Sequence, residues 1–172
     1  MQTTHYLKKY DLLPKLQQGQ YYKVTEGIIK LCEDNEDKPL IIQVYTCGDI
    51  LLPQSNITYY ESLNDSIVVV SDLDQTTLYD QITDAREMLA ILHQTTALER
   101  LKRFLYWFGV KCGKLNGNGC VNIPYMCQDD IADILKTTRL TINKAFKQLK
   151  KEGFVKKTIK HKMIQLSFNK ST

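Results

Sequence analysis

"QDDIADILKTTRLTINKAFKQLKKEGFVKK", residues 128 to 157, decides the fold of this 172-residue chain. Ile131, Ile134 and Leu135 give a first helix its apolar side, and Asp129 and Asp130 fall in its first turn, where the helix dipole favours acids. Ala132 is small where two helices would cross closely. "KTT" then breaks the pattern, and Thr137 or Thr138 can cap a second helix. There Ile142, Phe146 and Leu149 recur at i, i+4 and i+7 and must face a core. The opposite face carries Arg139, Leu140, Asn143, Lys144 and Lys147. Arg forks onto guanine, Asn onto adenine, an apolar group meets a thymine methyl, and Lys neutralises phosphate. Helix, short turn and helix with such a face describe a helix-turn-helix, whose second helix enters the major groove.

Downstream residues extend the same unit. Gly153 is placed to end the helix, and "FVKKTIKHKMIQLSF" alternates through two strands joined near Lys160-His161-Lys162, the pattern of a basic wing. Lys136 to Lys162 holds 10 basic residues and one acid, Glu152, a density that marks a phosphate-backbone footprint or a solvated basic face. The asymmetry runs through the chain. Met1 to Glu99 has 7 Lys and Arg against 15 Asp and Glu, net −8, whereas Arg100 to Thr172 has 16 against 4, net +12.

Upstream, the chain reads as short strands between turns. "QYYKVTEGIIKLCE" breaks at Glu26-Gly27, "EDNEDKP" is a charged hairpin connection, and "LIIQVYTCGDILL" splits at Cys47-Gly48-Asp49. "NITYYESL" and "SIVVVSDL" continue the series, so a small β-barrel or jelly roll over residues 1–75 is expected. From Thr76 no Pro or Gly intervenes before Gly109, and Ile82, Ala85, Leu89, Leu92, Thr96 and Glu99 alternate spacings of 3 and 4. This is a heptad seam turning polar at its end. Such a helix, expected over 76–99, packs on its own barrel or on its twin in a dimer; its length favours the dimer, with Ile82, Ala85, Leu89, Leu92 and Thr96 at the seam. At "RLKRFLYWFGV" the apolar side becomes Leu101, Phe104, Leu105 and Phe108, and a second core begins, spanning 100–172. "KCGKLNGNGCVNIPYM" is loop and turn with a short strand at "CVNI".

A barrel, a long heptad helix and this helix-turn-helix together resemble the cyclic-AMP receptor protein/FNR family of bacterial transcription regulators. The resemblance implies an α+β chain with a sensing barrel, a dimerisation helix and a winged helix that binds double-stranded DNA, with RNA polymerase as a further partner. The run "TTRLTI" is most similar to the global nitrogen regulator branch of cyanobacteria and algal plastids. It adds Thr138 and Thr141 to the DNA-contacting set of Arg139, Leu140, Asn143, Lys144 and Lys147, while Lys156, Lys157, Lys160 and Lys162 extend that set onto the wing. Two positions depart from the family inside this motif. Lys136 stands where many relatives have Gly, so either a left-handed backbone there costs about 1 kcal/mol or the turn differs. Leu140 stands where many relatives have a Glu that accepts from cytosine, which shifts the expected preference toward thymine.

The sensing half departs further. Relatives that bind cyclic AMP carry an Arg in a phosphate-cradling segment, yet this chain has no Arg before Arg86. Cyclic AMP is therefore not expected. The clustered cysteines of the iron-sulfur branch are missing too; Cys32, Cys47, Cys112, Cys120 and Cys127 show no CxxC spacing and are expected to be buried or idle thiols. 2-oxoglutarate, the effector of the nitrogen branch, would have Arg86 as its one guanidinium in this region. No cofactor or metal is expected. A metal-dependent enzyme is disfavoured because no His lies between His5 and His93. A winged helix binding RNA or protein is the rival reading, set against a recognition face without aromatics and rich in Lys. No window holds the roughly 18 uncharged apolar residues of a membrane helix and no signal-peptide core opens the chain, so a cytoplasmic or plastid-stromal location is expected.

Overall fold

The computed structural model describes residues 3–15, 19–36, 38–53, 55–73, 75–159 and 163–168. The chain divides into two compact units, Met1–Glu87 and Met88–Thr172. No described helix is long and apolar enough to cross a membrane.

The first unit contains β1 (Thr4–Leu7), β2 (Tyr21–Glu26), β3 (Ile28–Glu33), β4 (Leu40–Thr46), β5 (Ile50–Leu51), β6 (Thr58–Ser62) and β7 (Ser66–Ser71). Every segment expected to be a strand is one. Of the two expected arrangements, barrel or jelly roll, no closed barrel is formed among the described residues: the strands make two antiparallel sheets, in the orders β1-β7-β2-β5 and β4-β3-β6. The chain changes sheet at Gly27, between consecutive strands that alternation alone would join as a hairpin. Gly27 has φ +87°, and a Cβ there would overlap the Ser66 side chain. In exchange the Ile28 amide donates to Asn64 Oδ1 (2.8 Å) and Ser66 Oγ (3.2 Å), so the first amide of β3 is satisfied at the corner.

Leu7, Leu13, Tyr22, Val24, Ile29, Tyr45, Leu51, Tyr60 and Val68 form the core of this unit. Tyr45 and Tyr60 meet edge to face at 5.6 Å. The Tyr60 hydroxyl donates to the Leu52 carbonyl (3.0 Å) and accepts from the Leu52 amide (3.1 Å), which satisfies a phenol inside an apolar cluster. Burial pushes both phenols above their ordinary range. β1 was not legible as a strand; its four residues, THYL, are held by pairing with β7 and expose Tyr6.

Helix α1 (Gln75–Leu92) follows, and Gln81 ties it to the sheet by donating to the Ile50 carbonyl (2.7 Å). The helix expected to reach residue 99 stops seven residues earlier. Thr96 instead caps α2 (Ala97–Cys112) in a full capping box: its hydroxyl accepts from the Glu99 amide, and the Glu99 carboxylate accepts from the Thr96 amide. Thr96 and Glu99 thus satisfy the orphan donors of a new helix rather than continue the seam.

The second unit continues with β8 (Lys114–Leu115), β9 (Val121–Pro124), α3 (Gln128–Ile134), α4 (Arg139–Lys151), β10 (Val155–Ile159) and β11 (Met163–Leu166). The four strands form one antiparallel sheet, β10-β11-β9-β8. Leu101, Phe104, Leu105 and Phe108 of α2 are fully buried, as their spacing requires, and α2 and α3 both pack on α4.

Candidate nucleic-acid interface

The candidate interface is built on α4. Ile142, Ala145, Phe146 and Leu149 are buried, which fixes the rotation of the helix and leaves the opposite face outward. Thr138 is its N-cap: the hydroxyl accepts from the Thr141 amide (3.2 Å) and shares a hydrogen bond with the Thr141 hydroxyl (2.9 Å). The ambiguity between Thr137 and Thr138 is thereby resolved, and Thr138 and Thr141 first serve the helix end. At the other end, the Gly153 amide donates to Lys150 and the Phe154 amide to Leu149, while Gly153 adopts φ +74°. This is the Schellman termination, and it directs the chain into β10.

The turn between α3 and α4 uses the same device with an unusual residue. The Lys136 amide donates to the Asp133 carbonyl (3.3 Å) and the Thr137 amide to Ala132 (2.9 Å), with Lys136 at φ +51°. A left-handed lysine costs about 1 to 2 kcal/mol, partly offset by the larger unfolded-state entropy of the glycine that would relieve it. Lys136→Gly is expected to stabilise the second unit by about 0.5 to 1 kcal/mol, read as a higher urea midpoint with unchanged slope. A lower midpoint would show that the lysine side chain contributes more than its backbone costs. Arg100 braces the turn from α2, its Nη1 donating to the Leu135 carbonyl at 2.9 Å.

On the outward face, Arg139, Leu140, Lys144 and Lys147 are exposed and Asn143 is half-buried. Leu140 is 67% exposed, a large apolar side chain amid cations. Lys144 and Lys147 form no ion pair among the described residues. Glu152, the one acid of the basic stretch, is engaged by Gln148 Nε2 (3.0 Å) and lies 3.8 Å from Lys102 Nζ. It therefore does little to neutralise that face. Lys156 and Lys157 are exposed on β10, where the pairing with β11 shifts register between Val155 and Lys157. Lys160 and Lys162 lie outside the described residues.

Two residues that sequence reasoning left out of the site touch its principal members. Asp129 Oδ2 lies 3.5 Å from Arg139 Nη1, and Gln128 Oε1 accepts from Asn143 Nδ2 at 3.2 Å. Both sit in the first turn of α3. Their motif position was visible, but nothing in a one-dimensional pattern says that this turn meets the start of α4. The five seam residues divide differently: Ile82 and Leu89 are 52% and 58% exposed, Ala85 and Leu92 are half-buried, and Thr96 is outside α1.

Residues 99–167 match the Crp-like helix-turn-helix domain. Solved structures share the fold. A transcriptional regulator of the CRP/FNR family from Thermus thermophilus is 18% identical, with a TM-score of 0.70 over 95% of this chain and 93% of that one. FixK2 from Bradyrhizobium japonicum is 20% identical, with a TM-score of 0.74 over 96% and 92%. A cyclic nucleotide-binding domain containing protein from Listeria monocytogenes is 14% identical, with a TM-score of 0.76 over 95% and 88%. Against curated protein sequences the chain has no match. The architecture is that of CRP/FNR structures: an N-terminal β-sheet unit, helices and a C-terminal Crp-type helix-turn-helix.

Proposed function

We propose that the chain is a sequence-specific DNA-binding regulator of transcription that acts as a homodimer on a pseudo-palindromic site and performs no catalysis. The observation that carries this reading is the outward face of α4. It places Arg139, Asn143, Leu140 and two exposed lysines on one side of a capped, anchored helix, within a segment that matches a Crp-like helix-turn-helix. Arg139 and Asn143 read base edges, Lys144 and Lys147 touch bases or phosphates, and the wing lysines add phosphate contacts. The uncovered Ile82 and Leu89 of α1, with Ala85 and Leu92, supply the surface for a twin helix. Two-fold symmetry then sets the half-sites about one helical turn apart, and RNA polymerase is the partner that such a complex would recruit or block.

Cyclic AMP is not part of this reading, because the strands and connections that precede α1 contain no Arg to pair with a cyclic phosphate. A micromolar cyclic AMP site found by calorimetry would overturn that statement. The nitrogen-regulator likeness of "TTRLTI" makes 2-oxoglutarate the effector to try first. The deciding experiment is selection of bound fragments from a random DNA pool, with and without 2-oxoglutarate, followed by binding over a salt series. Expected are an enriched palindrome, affinity that falls steeply with salt, and a preference that survives at high salt. Binding with no enriched sequence, or preferential retention of RNA, would refute the reading.

A further inference from the structure

The contacts between the first turn of α3 and the base-reading residues of α4 carry a second conclusion, which rests on the DNA-reading function above. Arg139 occupies the first position of α4, where the helix dipole is positive and a cation is locally disfavoured. Asp129 occupies the first turn of α3, where the same effect favours an anion. Its carboxylate is thus stabilised by its own helix while it lies 3.5 Å from Arg139 Nη1. The contact involves one carboxylate oxygen and one guanidinium nitrogen, and the remaining N–H groups of Arg139 stay available for a forked contact to guanine. Both side chains are well exposed, at 70% for Arg139 and 58% for Asp129, so the pair biases direction without locking it. Gln128 acts in parallel on Asn143: by accepting from Nδ2 it leaves the amide oxygen and one N–H, the combination that adenine N6 and N7 require.

We propose that Asp129 is a positioning residue that aims Arg139 at base edges and opposes its use on phosphate, so that discrimination by α4 depends on a carboxylate carried by α3. On a wrong sequence, turning Arg139 to a phosphate either draws it from Asp129 or brings the phosphate beside the Asp129 carboxylate, and like charge opposes both arrangements. On the right one, guanine takes the free edge of the guanidinium while Asp129 keeps its partner. Specificity arises here by weakening wrong complexes rather than by adding contacts to the right one.

The test uses the full chain, the fragment enriched from the random pool and a scrambled duplex of equal length, each titrated over a salt series. For Asp129→Asn, affinity for the scrambled duplex is expected to rise about threefold to fivefold. The slope of log affinity against log salt should steepen by about one on that duplex. Affinity for the enriched site should change little, so the ratio falls by the same factor. Asp129→Glu should restore much of it, and in an Arg139→Gln background Asp129→Asn should leave the ratio unchanged. A parallel rise on both duplexes would mean ordinary charge repulsion and overturn the proposal. Loss of affinity for the enriched site alone would mean that Asp129 itself accepts from a base, and would overturn it equally. If the parent chain fails to distinguish the two duplexes at all, the DNA-reading function fails and this inference with it; if it distinguishes them and Asp129→Asn changes nothing, only this inference falls.

Discussion

Replacing Arg139 with alanine lowers affinity for the enriched DNA site by about 1 to 3 kcal/mol and flattens the preference at the base pair it reads. The residue is exposed at the first position of α4, pairs with Asp129, and supports no core, so the loss falls on binding and leaves folding nearly unchanged. Lys157→Ala supplies the contrast. Lys157 is exposed on β10, and in the proposed function it contacts phosphate, so its removal is expected to weaken every sequence alike and lower the salt slope by about one. Competition binding against single-base variants of the site separates the two. Identical profiles for both variants would show that Arg139 is no base reader.

Leu149→Ala acts on the anchor instead. Leu149 is fully buried on the inner face of α4, and its carbonyl accepts the Phe154 amide that turns the chain into the wing. Truncation removes buried methyl groups and leaves a cavity between packed helices, at a cost of about 2 to 5 kcal/mol. That is a large fraction of the stability of a unit this size. Urea unfolding should show the transition of the second unit moved to lower denaturant, with DNA binding lost in step. A variant that keeps its midpoint would mean that α4 is held by its caps rather than its buried face.

Periodicity is a local property, and what was legible from it is local. The 3.6-residue recurrence of Ile142, Phe146 and Leu149 located α4 and its outward face, and Gly153 located its end. Alternation broken at Glu26-Gly27 located β2 and β3, and apolar runs bounded by turn residues located β4 to β7. Such patterning could not assign them to sheets, since β2 and β3 alternate alike whether Gly27 makes a hairpin or a passage between layers. The seam over α1 ran too far for a different reason: Thr96 and Glu99 fit the heptad count, but the same two residues spell a capping box, and the cap prevails because it satisfies backbone donors directly. Gln128 and Asp129 were legible as a helix start and nothing more, because their partners are 10 to 15 residues away and meet them only once α3 and α4 are packed.

For the DNA-reading function proposed above, the exposed Leu140 would give α4 a thermal signature as well as an ionic one. Counterion release by lysines fades as salt rises, whereas desolvation of a leucine against a thymine methyl does not. Apolar burial is also marked by a negative heat-capacity change, which charge neutralisation by itself does not produce. In the proposed DNA-reading function, what remains of the affinity in concentrated salt is expected to be the part that responds most strongly to temperature, at sites that offer Leu140 a methyl group.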